Sequence, residues 1–191
     1  MFLEMIKSIV LGIVEGISEW LPISSTGHMI LVNELINNTE GFTASDLYLY
    51  VIQLGAILAV VTLYFHKLNP FSPKKTNAEK ENTWKMWFKV IIACVPAAVI
   101  GFVLDNFMSA WENWQVVSAM LILYGVAFIV VESLHKETKI ESMDDMTYKT
   151  ALLIGLFQVL SIVPGTSRSG ATILGAMLIG CSRSVAAEFS F

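Results

Sequence analysis

Charge is scarce in this sequence. Only 15% of its 191 residues are Asp, Glu, Lys or Arg, against about 25% in a typical soluble domain, which excludes a disordered, highly charged chain. What charge there is nets to −4, and no basic face recurs along the chain, which argues against nucleic acid as a partner. Cysteine is almost missing. Cys94 and Cys181 lie far apart, each in an apolar stretch, so they build neither a disulfide framework nor a zinc site and are expected to be small buried apolar groups. A cleavable leader is not visible either: Lys7 precedes an apolar stretch, but Glu15 and Glu19 interrupt it and no A-x-A site follows, so the segment is expected to belong to the mature protein. The composition is instead 55% hydrophobic, with a mean hydropathy of +0.65. That points to a bilayer as the main solvent.

Three segments read as membrane spans: 46–66, 86–104 and 114–134. Each approaches the roughly 20 residues needed to cross the hydrocarbon core. Trp84, Trp87, Trp111 and Trp114 fall at the expected helix starts, as an interfacial belt would, and Pro96 is expected to kink the second span. Lys67, Lys74, Lys75, Lys80 and Lys85 occupy the connection 67–85, and Lys136, Lys139 and Lys149 the connection 135–149. The connections 37–45 and 105–113 carry no Lys or Arg. The positive-inside rule therefore places the lysine-bearing pair in the cytoplasm and the other pair outside.

Two further apolar segments, 8–36 and 149–187, are cut in the middle. The first cut is Pro22-Ile23-Ser24-Ser25-Thr26-Gly27-His28, the second Pro164-Gly165-Thr166-Ser167-Arg168-Ser169-Gly170. Half-helices meeting at a polar loop predict a re-entrant hairpin whose tip lines a protein cavity. A shift of 143 positions aligns the two cuts: Gly12 falls on Gly155, Ser18 on Ser161, Ser24 on Ser167 and Gly27 on Gly170. Three intervening spans, an odd number, make the hairpins enter from opposite faces. The prediction is one all-α, polytopic integral membrane domain over 1–191 with inverted repeats and two re-entrant helical hairpins. The first repeat covers 8–134 and the second begins at 149–191. By analogy with the first repeat's length, roughly 80 further residues are expected to follow.

The polar residues of the cuts carry the chemistry. Glu15 and Glu19, at i and i+4, share a helix face. Two carboxylates in an apolar segment cost roughly 2.5–3.5 kcal/mol each on insertion scales, so a divalent-metal or general-base pair competes with the plainer reading of acids facing water. Mg²⁺ and Ca²⁺ prefer such oxygens and share them with substrate phosphates. Arg168, flanked by Thr166, Ser167 and Ser169, resembles a phosphate site more than a structural counter-ion. Ser24, Ser25 and Thr26 open the other second half-helix in the same way, so two anion-seeking helix N-termini converge. His28, three residues after Ser25, is a candidate base for a serine nucleophile, or itself the nucleophile or general acid, and spacing does not choose between these. Gln53 and Gln158 fit either a cavity wall or an inter-helix bond. His66 and His135, at span ends, are assigned no role.

At these residues the sequence resembles a known family. EGISEWLPISSTGH (Glu15 to His28), PGTSRSG (Pro164 to Gly170) and QLGAILAV (Gln53 to Val60) are similar to motifs of the undecaprenyl-diphosphate phosphatases of bacterial membranes, also called bacitracin-resistance proteins. The resemblance implies that Glu15 and Glu19 are the motif acids and hold Mg²⁺ or Ca²⁺. It makes His28 the motif histidine, Ser25 a proposed nucleophile and Arg168 the diphosphate-binding arginine. Ser24, Thr26, Gly165, Thr166, Ser167, Ser169 and Thr172 would then surround the substrate. The implied activity is removal of the terminal phosphate from a prenyl diphosphate lipid in the plasma membrane, which recycles the carrier for cell-wall synthesis. Membrane lipids are further partners, and homo-oligomerisation is left open. A prenyl-phosphate transporter or flippase is the main rival, since inverted repeats with broken helices are a transporter architecture. A non-catalytic lipid-binding protein, which needs Arg168 but neither Glu19 nor His28, is the second.

Overall fold

In the computed structural model the described residues are 2–108, 111–134 and 137–191, with 105–108 described by their backbone alone. They are helical, and no strand occurs among them. Chain order gives α1 (Phe2–Ser18), α2 (Ser25–Leu35), α3 (Asp46–Leu63), the single turn α4 (Phe65–Leu68), α5 (Asn77–Met108), α6 (Trp114–Ser133), α7 (Tyr148–Gln158), α8 (Arg168–Ile179) and α9 (Arg183–Ser190). His135, Lys136 and most of the 105–113 connection lie outside the described residues.

Short polar side chains start the helices. Ser45, Asn113 and Thr147 each accept a hydrogen bond from the backbone N–H three residues on, satisfying a donor the first turn leaves free. Gly180, at φ 107°, closes α8 in the left-handed conformation that glycine adopts without strain.

Three helices, α3, α5 and α6, are long and apolar enough to cross a membrane. The chain is therefore an all-α polytopic membrane protein by length and composition. Their outer surfaces are apolar: Phe102 is 89% exposed and Ile129 69%, as side chains facing lipid tails would be. Cys94 belongs to this surface. It is exposed, against the expectation of burial, whereas Cys181 is buried as expected.

The second span differs from its prediction. It begins at Asn77, well ahead of residue 86, because Thr76 and Glu79 form a reciprocal capping box: the Thr76 N–H donates to Glu79 (2.7 Å) and the Glu79 N–H to Thr76 Oγ1 (3.3 Å). Lys80 and Lys85 thus ride on helix rather than loop, and Trp84 and Trp87 lie two turns inside it. Trp87 donates to the Leu68 carbonyl at 2.9 Å, which ties α5 to α4. Helix α5 continues through Pro96. The second broken segment also ends earlier than 187: Gly180 stops α8, and α9 is a separate helix.

The ends of the broken segments are anchored to different connections. Lys7 donates to Asn38 at 2.8 Å and the Thr43 hydroxyl to Glu4 at 2.9 Å, holding the start of α1 on the 37–45 connection. The Gly180 carbonyl accepts from the N–H groups of Lys139 and Ile140, holding the end of α8 on the 135–149 connection. Between these connections run α3, α5 and α6.

The tightest helix contact is α7 on α5. A Cβ at Gly155 would stand 2.2 Å from the Ala93 carbonyl oxygen, an impossible approach unless the helices part. Gly155→Ala is therefore expected to destabilise the protein by about 1–3 kcal/mol, seen as a lower thermal midpoint in detergent. Gly125→Ala, with open space around the new methyl, is expected to hold or raise it.

Candidate functional site

Both breaks are built alike. Helix α1 runs out beyond Ser18, with the Glu19 N–H still bonded to the Glu15 carbonyl at 2.9 Å. The chain then turns through Ser24, whose φ of 65° is unusual for a residue other than glycine. Ser24 caps α2 by accepting from the Gly27 N–H at 3.2 Å. In the second break a tight turn over Val159–Ile162 leads to Gly165, at φ 85°. Ser167 then caps α8 by accepting from the Gly170 N–H at 3.0 Å. The pairs Ser24/Gly27 and Ser167/Gly170, aligned by the 143-position shift, thus do the same job.

The two tips meet. A Cβ on Gly27 would lie 3.4 Å from the Gly165 Cα and 3.2 Å from Val117 Cγ1, and one on Gly165 would lie 2.7 Å from the Val117 Cα. A Cβ on Gly170 would lie 3.0 Å from the Pro22 carbonyl oxygen. Only glycine lets the backbones approach this closely. Val117, fully buried on α6, is the floor beneath both tips. Sequence reasoning missed it, because one valine in an apolar span looks like its neighbours.

This contact brings the predicted residues together. Arg168 Nη2 is 3.9 Å from Glu19 Oε1, and the Ser25 hydroxyl donates to Glu19 Oε2 at 2.5 Å. Glu15 lies one turn back on α1, 1% exposed, and neither of its carboxylate oxygens has a hydrogen-bond partner. Thr166 is also buried, with an unpartnered hydroxyl. Ser167 and Ser169 share a hydrogen bond at 3.2 Å. Gln53 reaches from α3 to donate to the Thr26 hydroxyl of α2 at 3.2 Å, so it both makes an inter-helix bond and lines the cavity.

A cavity of about 570 Å³ opens over this cluster. Glu19, Ser24, Ser25, Thr26, Gly165, Thr166, Ser167, Arg168 and Ser169 all line it. Three predicted residues, Glu15, His28 and Thr172, stand behind the wall. His28 Nδ1 is 2.9 Å from the Ser24 carbonyl, to which it donates, so the imidazole is tied to the cap of its own helix and Glu19 is the group against Ser25. Thr172 is buried and donates back to the carbonyls of Arg168 and Ser169. Ser161, the repeat partner of Ser18, also lines the cavity, as does Glu112 from the 105–113 connection, which was not singled out from sequence.

The donor set fits a divalent cation. A buried carboxylate with both oxygens unpartnered, one turn from a second carboxylate, is what a hard cation would satisfy. Among the described residues no three His, Cys, Asp or Glu side chains cluster as a complete metal site, so a cation would draw its other oxygens from water and from a ligand's phosphates.

A helical chain with three apolar spans and a cavity lined by a guanidinium, two capped helix N-termini and the carboxylates of Glu19 and Glu112 is a polytopic membrane protein with a polar site between its broken helices. The family profile described as bacitracin resistance protein BacA matches residues 8–191, and the chain belongs to that family. It is 58% identical to the undecaprenyl-diphosphatase of Enterococcus faecalis, over 100% of this chain and 70% of that protein. Identity is 57% to the protein of the same description from Streptococcus thermophilus, over 99% of this chain and 67% of that one. For that of Limosilactobacillus fermentum it is 58%, over 99% and 70%. The three spans and this kinship make the chain a multi-pass protein of the bacterial membrane.

Proposed function

We propose that the protein hydrolyses undecaprenyl diphosphate to undecaprenyl phosphate and inorganic phosphate, recycling the lipid carrier of cell-wall synthesis and conferring bacitracin resistance. The observation that carries the reading is the Ser25–Glu19–Arg168 chain of contacts at the rim of one cavity. A flippase needs the cation and the helix N-termini. It has no need of a serine hydroxyl held by a carboxylate.

In the mechanism the terminal phosphate sits between Arg168, the Ser24–Gly27 and Ser167–Gly170 turns and the Thr166 hydroxyl. Arg168 can hold two of its oxygens at once. Glu19 takes the proton from Ser25 Oγ as that oxygen attacks the terminal phosphorus. The Oγ–P bond forms, the bridging P–O bond breaks, and the prenyl monophosphate leaves. The protonated Glu19 then returns its proton to Ser25 Oγ as water attacks the phosphoserine and the Oγ–P bond breaks, and it takes the water's proton in exchange and releases it with the inorganic phosphate. His28 holds the Ser24 turn from behind. A Mg²⁺ or Ca²⁺ ion at Glu15 and Glu19 would neutralise charge on the phosphate oxygens. Arg168 and the helix N-termini stabilise the charge that develops in the transition state.

The topology we propose is two re-entrant hairpins entering from opposite faces, related as inverted repeats. Its support is the anchoring of one segment at 37–45 and the other at 135–149, with three spans between. With the lysine-bearing connections in the cytoplasm, the cavity opens outward, where Glu112 stands at its rim.

The test is phosphate release from undecaprenyl diphosphate by the purified protein in detergent, with and without excess chelator. Release that disappears in chelator and returns with Mg²⁺ or Ca²⁺ is expected. A protein that binds the lipid yet releases no phosphate would be a carrier or a flippase, and undiminished release in chelator would end the metal assignment.

A further inference from the structure

The cavity has two chemically different walls. The polar wall comes from the two breaks. The other is apolar: Leu21, Ile30 on α2, Ile57 on α3, Gly101 on α5 and Ile162 in the turn after α7. The apolar wall runs out to the lipid-facing surface at two edges. Ile57 is half exposed beside the exposed Leu54 and Leu58 of α3, and Gly101 precedes Phe102 and Val103, both almost bare. Between these edges Gly101 leaves a gap, since a Cβ there would find its nearest atom, Ile162 Cδ1, 3.9 Å away. Apart from its chain neighbours and the backbone of α5 itself, nothing else stands within 4 Å, so the space beside this cavity-lining glycine is open.

We propose that this window between Ile57 of α3 and Gly101 of α5 is where the prenyl tail leaves the cavity, and that Gly101 sets access for long apolar tails. The inference rests on the prenyl-diphosphatase reading above and goes beyond it by assigning the tail path and two residues that border it. A diphosphate head held by Arg168 must lie with its tail pointing away from the polar wall, because burying polyisoprene against Ser, Thr and Glu side chains would strip them of water without replacement. The apolar residues of the lining offer the alternative, and Ile57 and Gly101 among them border exposed apolar surface. Glycine at 101 costs α5 helix propensity. An open gap at the rim of an apolar path is a reason for that cost.

A Cβ at position 101 meets only the Ile162 side chain, at 3.9 Å, so Gly101→Leu is expected to fold. The probes are undecaprenyl diphosphate, which carries the tail, and inorganic pyrophosphate, which has the same head and no tail and is added as an inhibitor. In Gly101→Leu the KM for the prenyl diphosphate is expected to rise about tenfold or more, while the pyrophosphate Ki moves by less than about twofold. Ile57→Trp, narrowing the window from the opposite edge, is expected to act in the same sense, which guards against a defect peculiar to one helix. Gly125→Leu, facing open space away from the cavity, is expected to change neither value. An unchanged KM in both window variants, or KM and Ki rising together, overturns the tail path. Absence of phosphate release from the parent protein overturns the phosphatase reading instead. Equilibrium binding of undecaprenyl phosphate to parent and window variants then decides the tail path alone: weaker binding by the variants supports it, equal binding overturns it.

Discussion

Glu19→Gln is expected to lower kcat for phosphate release by about 10²–10⁴-fold, the usual worth of a positioned general base, with a much smaller change in KM. The glutamine keeps the shape of the side chain. It can still bond the Ser25 hydroxyl, which lies 2.5 Å from the carboxylate in the native site. It cannot take the proton as the Oγ–P bond forms. The pairing with Arg168 at 3.9 Å is also lost, but the arginine gains freedom to hold phosphate, so binding should survive. Steady-state phosphate release checks this, with pyrophosphate inhibition reporting on the head-group site. A variant with parental kcat would remove Glu19 from the chemistry and leave the carboxylate a structural counter-ion. His28→Ala makes a useful contrast. Its ring holds the Ser24 carbonyl, so that variant should lose thermal stability together with activity.

Arg168→Lys should still be damaging despite conserving charge. Arg168 opens α8, where the Ser167 cap and the following N–H groups already favour an anion. A lysine ammonium adds a point charge but not the planar fork that grips two phosphate oxygens. Removing one such donor from a transition-state site typically costs about 10²–10³-fold in kcat. The expected result is a loss of that size for Arg168→Ala and about tenfold less for Arg168→Lys, both without change in thermal midpoint, because the side chain is mostly exposed in the cavity. Equal losses in the two variants would show that the fork, not the charge, is what matters. Parental activity in both would place the phosphate elsewhere.

Much of this was legible in the sequence because membranes penalise polar groups so heavily. An acid, a hydroxyl cluster or an arginine inside an apolar run stands out, and Glu15, Glu19, Ser25 and Arg168 were found that way. The 143-position shift picked out Ser24 with Ser167 and Gly27 with Gly170, pairs that prove to be matching caps. What escaped was whatever looks ordinary in one dimension. The start of α5 was misplaced because lysines were read as loop and the Thr76–Glu79 box was passed over. Cys94 was expected inside, but in a bilayer an apolar run does not tell its protein face from its lipid face. Val117 and Gly101 matter only through what stands opposite them, and no local pattern records that. Spacing alone left the relation of His28 to Ser25 open. Three residues apart on a helix is near enough to touch, yet the ring turns back to the Ser24 carbonyl.

The backbone contact between the two glycine tips over Val117 has a consequence for biogenesis. Glu19 is synthesised first and Arg168 last of the reacting groups, and all three intervening spans must be threaded into the bilayer before the tips can touch. A nascent chain still emerging from the insertion machinery therefore carries an acid and a serine with no phosphate clamp, and remains inert until its second broken segment has docked.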